Sequence, residues 1–201
     1  STVCTLKVKG SVLLDLLEFS VHSLPLNFGS FYQVSGMEFE VDCSVKSPVV
    51  MDKSSVLSHI VADVPRRVSN VKVLRNGKSD WEALDPEAEY LLVSNSYLVI
   101  EKGDGCTLLE GFKYTDSGET DVSLVERYLQ STGGIIPAKY KDCDNRIKIK
   151  LYVEKCNKSQ SSDSHHCGPR GRNPCNGLFL HHPLYGKRCL GHIRKNFGCA
   201  G

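Results

Sequence analysis

The sequence predicts a mixed α/β (α+β) domain, a mixed sheet with packed helices, followed by an irregular, disulfide-rich tail. Three observations carry this reading. Segments with the period-two alternation of a strand are interleaved with segments of helical period through residues 1–150. Turn residues punctuate the boundaries between them. Five of the nine cysteines crowd into residues 151–201, in a stretch rich in Gly and Pro.

The elements follow in order. CTLKVKG alternates as a strand does. GSVLLDLLEFSVHSL is helical, with apolar residues at 13, 14, 16, 17 and 21 and a start at Gly10-Ser11. MEFEVDC alternates again and puts Met37, Phe39 and Val41 on one face. RVSNVKVLRNGKSDWEAL reads as a strand, an Asn76-Gly77 turn and a short return. EYLLVSNSYLVI reads as a strand running into a loop. TDVSLVERYLQSTGG is a helix capped by Thr120 or Asp121 and ended by Gly133-Gly134. NRIKIKLYVEK is a last alternating strand.

Composition shifts near residue 151. Residues 151–201 hold eight Lys/Arg and two acids, a balance of +6; the remainder holds 25 − 8 = 17 basic and 23 − 2 = 21 acidic residues, a balance of −4. Five of the seven histidines lie in the tail. This divides the chain into a domain over 1–150 and a basic cysteine-rich tail over 151–201, with KSQSSDSHH (158–166) as a linker. No apolar run approaches the ~18 residues of a membrane span. The polar opening STVCTLKVKG carries no signal peptide, as expected of a mature, fragmentary or cytosolic start. Cysteine density argues for an oxidising compartment and secretion, and no C-x-x-C occurs. The count of nine is odd, and the pairing is not readable from spacing. Asn157-Lys158-Ser159 is a glycosylation sequon, consistent with a secreted glycoprotein.

LKVKGSVLLDLLEFSVHS, GSFYQVSGMEFEVD, VSNVKVLRNGK, DPEAEYLLVSNSYL, the Gly103–Gly105 GDG and DSGETDVSLVERYL form a collinear set over roughly residues 3–150. Together they resemble the C-terminal domain of the secreted 5′-nucleotidase/apyrase family. The resemblance implies a nucleoside pocket in which two aromatic rings sandwich a purine and an Asp of a Gly-Gly-Asp-Gly loop bonds the ribose. By position these fall on Phe31, Tyr97 and Asp104. Stacking on an aromatic ring contributes about 1–3 kcal/mol per base, and a carboxylate accepts from paired hydroxyls. The loop departs from the family pattern: it reads Lys102-Gly103-Asp104-Gly105, with one extra residue between it and Tyr97. The family's two-metal ligand motifs and its substrate-gripping Asn-Gly-Gly-x-Arg do not occur in this sequence. A chain of this kind is expected to be non-catalytic and to need no cofactor, since two-metal hydrolysis requires both ions. Members of this kind are prominent in the saliva of blood-feeding arthropods, which implies a role as an inhibitor impairing haemostasis, inflammation or complement.

Each candidate site also has a plainer reading. Phe31 and Tyr97 suit core packing, Tyr32 points to the opposite side of an extended segment, and Asp104 suits a turn. His22 lies four residues from Glu18 and reads as a satisfied, half-buried histidine. In the tail, zinc would use His165, His166, Cys167, Cys175, Cys189 and His192, but the spacing matches no common finger. A host protein or an anionic surface such as heparin would meet Arg170, Arg172, Lys187, Arg188, Arg194 and Lys195, two of them in the cysteine-bounded loop CGPRGRNPC. A stapled appendage, basic for solubility, fits equally. Three functions follow: a partner-binding inhibitor acting through the tail, a purine nucleoside or nucleotide scavenger without turnover, and a fragment completed by a metal-bearing chain.

Overall fold

A computed structural model describes residues 1–74, 80–134, 138 and 141–151. The expected Asn76-Gly77 turn and the tail from residue 152 onward, with Asn157 and all the tail's candidate partner and zinc residues, lie outside the described residues.

β1 (Thr2–Lys9) is the centre of a three-stranded antiparallel sheet. It pairs with β7 (Glu89–Asn95) from Val3↔Asn95 to Lys9↔Glu89, and on its other edge with β8 (Tyr114–Thr120). Its alternation is as read: Cys4, Leu6 and Val8 are buried. α1 (Gly10–Ser20) starts at once, without a side-chain cap. Its first amides are satisfied by backbone instead: Gly10 N–H donates to the Ala88 carbonyl at 2.9 Å and Ser11 N–H to that of Pro86 at 2.8 Å. This close approach explains the glycine, since a Cβ at residue 10 would lie 2.1 Å from the Asp85 carbonyl oxygen.

The second sheet is mixed, in the order β6 (Trp81–Ala83), β5 (Val68–Leu74), β2 (Met37–Asp42), β9 (Ile147–Lys150). β2 and β9 run parallel, with Phe39 opposite Ile147 and Val41 opposite Ile149. β3 (Val49–Met51) and β4 (Leu57–Ile60) form a separate hairpin.

α1 is the wedge between the two sheets. Leu13, Leu16 and Phe19 join Cys4, Leu6 and Val8 in one core. Leu17 and Val21 join Phe39, Val41, Val68, Val71 and Ile147 in the other. Each fully buried aliphatic side chain contributes about 1.5–3 kcal/mol, so one helix serves two cores.

α1 ends at Ser20, earlier than the apolar period suggested. The chain turns ahead of Pro25, which cannot continue a helix and disfavours helical geometry in the residue before it. Arg67 takes up the exposed carbonyls: its Nη1 donates to Val21, His22 and Leu24 oxygens at 3.2, 3.2 and 2.8 Å, a cation at the helix C-terminus. Glu18 is fully buried and does not pair with His22. Its carboxylate accepts from the Arg67 and Val68 amides at 2.9 and 3.0 Å, stitching α1 to the start of β5. The ring nitrogens of His22 lie 2.6 Å from the Phe19 carbonyl and 3.0 Å from the Ser23 hydroxyl, so the half-buried histidine is satisfied locally.

α2 (Ser96–Val99) is a short helix where a loop was expected. α3 (Asp121–Ser131) follows the sequence reading closely: Thr120 Oγ1 accepts from the Ser123 amide at 3.1 Å, and Gly133 and Gly134 leave at positive φ. It buries no residue, and Val122 and Val125 are 62% and 58% exposed. Cys143 is disulfide-bonded, whereas Cys4, Cys43 and Cys106 are free thiols. No helix among the described residues is long and apolar enough to cross a membrane.

Candidate functional site

A concavity among the described residues has a volume of about 470 Å³ and an apolar floor from Leu13, Leu16 and Leu92. Its walls bring together Phe31, Tyr32, Tyr97 and Asp104. The volume falls in the roughly 300–1,000 Å³ range of small-molecule sites.

The first wall is the irregular segment from Phe31 to Ser35. Lacking a ladder, it is pinned from outside. The Tyr32 amide donates to the Ser20 hydroxyl at the end of α1 at 2.7 Å, and the Arg146 guanidinium, just before β9, donates to the Val34 carbonyl. Asp144 holds Arg146 in turn at 2.5 Å. Desolvation pushes the Asp144 carboxyl up, but the combined hydrogen bonds and charge of Arg146 outweigh it and keep the carboxyl below its ordinary range. Adjacent aromatics go to different cores: Phe31 packs against the Phe39 core, Tyr32 against the Phe19 core with ring centroids 6.3 Å apart. Tyr32 thus packs as expected, yet it also faces the cavity. Its hydroxyl is shielded and makes no well-formed hydrogen bond, although the Cys106 thiol is close enough to interact with it. Burial raises the Tyr32 phenol far above its usual range and raises the Cys106 thiol too.

The second wall is local. β7 ends at Asn95, whose side chain accepts from the Leu98 amide at 3.0 Å and so caps α2. Val99 anchors that short helix in the Phe19 core, and Tyr97 projects from it, 40% exposed. The chain then folds under the tyrosine in a 3-10 turn over Gly103–Gly105. A Cβ at Gly103 would fall 2.3 Å from ring carbons of Tyr97, so glycine is what lets the ring rest where it does. The Asp104 amide donates to the Tyr97 hydroxyl at 3.1 Å, and that hydroxyl donates to Asp104 Oδ1 at 3.3 Å. Asp104 itself has φ 54°, as does Lys102 at 55°, where the family pattern places glycine. Lys102 is held there by Glu110 at 2.7 Å. Gly29 closes the gap between the walls, for a Cβ there would lie 3.2 Å from Asp104 Oδ1.

The cavity therefore offers aromatic faces, an apolar floor and one carboxylate. Among the described residues no lysine or arginine lines it. Such a site suits a flat, neutral heterocycle carrying hydroxyls and gives no grip on phosphate. A second concavity of about 90 Å³ lies on the β2–β5–β9 face, where Lys72–Glu38 and Lys148–Glu40 pairs satisfy one another. Among the described residues no group of three or more His, Cys, Asp or Glu could hold a metal ion, so a two-metal centre finds no fit in them.

Phe31, Tyr97 and Asp104 were readable in the sequence through the family resemblance. Tyr32, Gly29, Ser20 and Arg146 were not, because each acquires its place through a contact distant in sequence.

Known proteins share this architecture. Residues 1–111 match the family model described as 5′-nucleotidase, C-terminal domain. The chain is 34% identical over 140 residues to a 5′-nucleotidase of Diplobatis ommata, covering 69% of this chain and 21% of that protein. It is 32% identical over 151 residues to a 5′-nucleotidase of Rattus norvegicus, with 71% and 22% covered. A snake venom 5′-nucleotidase of Crotalus adamanteus is 33% identical over 134 residues, with 66% and 20% covered. The crystal structure of a 5′-nucleotidase precursor from Thermus thermophilus superposes with a TM-score of 0.58 at 26% identity, over 74% of this chain and 25% of that one. The chain spans about a fifth of the length of these curated relatives. It belongs to the 5′-nucleotidase family, through that family's C-terminal domain.

Proposed function

We propose that the domain is a purine-nucleoside-binding lobe that holds its ligand without turning it over by its own residues. The purine lies between Phe31 and Tyr97, and the ribose hydroxyls donate to Asp104. The single observation that carries this reading is the convergence of those three side chains on one cavity with an apolar floor. The ligand's charge follows from the lining. With a carboxylate and no cation in that lining, each added phosphate brings repulsion and no partner. Adenosine therefore binds at least as tightly as AMP, and ATP binds least. Calorimetric titration of the full chain with adenosine, AMP and ATP, with phosphate release followed in parallel, tests this. The expected result is micromolar adenosine binding, that order of affinity and no release. Tightest binding of ATP, or phosphate release by the purified chain, would overturn it.

A second reading concerns the tail, and its +6 balance over 151–201 favours it. In that reading the chain is a secreted inhibitor whose basic loop engages a host protein or an anionic surface, in saliva or a comparable secretion. The family's venom members and the tail's five cysteines support secretion. Deleting residues 157–201 should then abolish binding to immobilised heparin while adenosine binding persists.

A further inference from the structure

The Gly-Asp-Gly turn has its back against the β3–β4 hairpin. A Cβ at Gly105 would lie 2.1 Å from the Ser55 carbonyl oxygen and 2.9 Å from Val56 Cα, and Gly105 sits at φ +77°. The backbones of the turn and the hairpin tip are in direct contact, and no side chain at residue 105 can separate them. A second tie runs beside it: Thr107 Oγ1 donates to the Leu57 carbonyl at 3.3 Å.

The hairpin tip is itself organised by one side chain. Asp52 Oδ1 accepts from the Ser54 amide at 2.8 Å and from the Val56 amide at 2.9 Å. The Ser55 amide donates to the Asp52 carbonyl at 3.1 Å, and Asp52 N–H donates to the Val56 carbonyl at 2.8 Å. Ser55, enclosed by these bonds, is held at φ 59°, a left-handed geometry that serine adopts only when its surroundings fix it. That conformation sets where the Ser55 carbonyl points, and hence where Gly105 and Asp104 rest.

We propose that Asp52, which does not line the cavity, is a positioning residue for the Asp104 carboxylate. Its chain of action runs through Ser55 and Gly105. This inference rests on the nucleoside reading of the cavity and adds to it a remote determinant of ribose recognition. Asp52 acts first on the sugar contact: Phe31 is held by Ser20 and Arg146 and the helix carrying Tyr97 by its Asn95 cap and Val99, so the turn reaches the aromatic walls only through the Tyr97 ring and hydroxyl.

The test uses the full chain with Asp52→Ala and Asp52→Asn, titrated with adenosine and with adenine. Asparagine retains the side-chain oxygen that accepts from both amides; alanine does not. Asp52→Ala should weaken adenosine about tenfold, the weight of one hydrogen bond to a charged group, and weaken adenine distinctly less, since the base is held by Phe31 and by a Tyr97 that keeps its helix. Asp52→Asn should restore the preference for adenosine. A purely structural loss would weaken both ligands together. Equal affinities in wild type and Asp52→Ala, or equal losses for both ligands, would overturn the proposal. If wild type binds neither ligand, the nucleoside reading fails, and amide hydrogen exchange judges the coupling separately. Gly105 and Cys106 amides, which donate to Lys102 and Gly103 carbonyls, should then exchange faster in Asp52→Ala and normally in Asp52→Asn. Unchanged exchange would overturn the coupling.

Discussion

The two aromatic walls of the cavity are built on opposite principles. The Phe31 wall has no regular structure and, beyond one turn bond from the Phe31 amide to the Phe28 carbonyl, is fixed by other elements: Ser20 from α1, Arg146 from the approach to β9, and one core on each side of the segment. The Tyr97 wall is assembled mostly within eleven residues, Asn95 to Gly105, by a capped short helix and a turn folded under its own tyrosine, and only the back of that turn, at Gly105, rests on a distant element, the β3–β4 hairpin. The first wall reports on the whole fold; the second reports on local backbone geometry. A ligand that needs both is recognised only when the fold is complete.

The largest effect should come from Glu18, which is fully buried two residues before Ser20, the residue whose hydroxyl holds the Tyr32 amide of the first wall. Glu18→Ala strands the Arg67 and Val68 amides and loosens the end of α1 that carries Ser20. The expected loss is about 3 kcal/mol of stability in urea unfolding, from two charge-assisted hydrogen bonds less the removed cost of burying the carboxylate. Amide resonances of residues 31–35 should shift, and those of 95–105 should not. Shifts spread equally over both walls would remove the distinction between them.

Gly103→Ala strikes the second wall. The added methyl displaces the Tyr97 ring, and with it both Tyr97–Asp104 hydrogen bonds. Stability should fall by about 1 kcal/mol, in the overpacking range, while adenosine affinity falls about tenfold, the weight of one stacking contact. Large destabilisation with intact binding would show that the ring can yield without loss.

Acid provides the smallest and most selective perturbation. Asp42, at the end of β2, accepts from Lys150 at the end of β9 at 2.7 Å and from Ser44. These bonds, Lys150 foremost, hold its carboxyl down at about 2. A folded-state value below the unfolded one of about 3.9 stabilises the parallel β2–β9 pair above that pH. The contribution is lost as pH falls toward 2. Resonances of residues 42–44 and 148–150, where β2 and β9 end together, should move between about pH 4 and 2, and Asp42→Asn should abolish that step. An identical titration in Asp42→Asn would assign the change to another carboxylate.

Much of the fold was legible because its elements bury one face. The alternation of Cys4, Leu6 and Val8, the apolar stripe of α1 and the Thr120 cap each announce themselves over a few residues. β8 was not legible, since YTDSGET is polar and forms a strand only by pairing with the free edge of β1. β3 and β4 were too short to show a period. In the site, Phe31, Tyr97 and Asp104 were legible through resemblance, whereas Glu18, Arg67, Arg146 and Asp52 were not. Their partners lie on other elements or in tight backbone geometry, and no local pattern encodes either. The reading of His22 as a satisfied, half-buried histidine holds, but its partners are Phe19 and Ser23, while the Glu18 carboxylate turns to β5.

Calorimetric titration of adenosine into wild type and Phe31→Ala tests the shared cavity most directly. If the two walls recognise one purine, wild type binds one equivalent and Phe31→Ala binds about tenfold or more weakly, the loss expected of a stacking ring, with a retained cooperative melt. Equal affinity in the two proteins, or no heat from wild type, would contradict a nucleoside site between Phe31 and Tyr97.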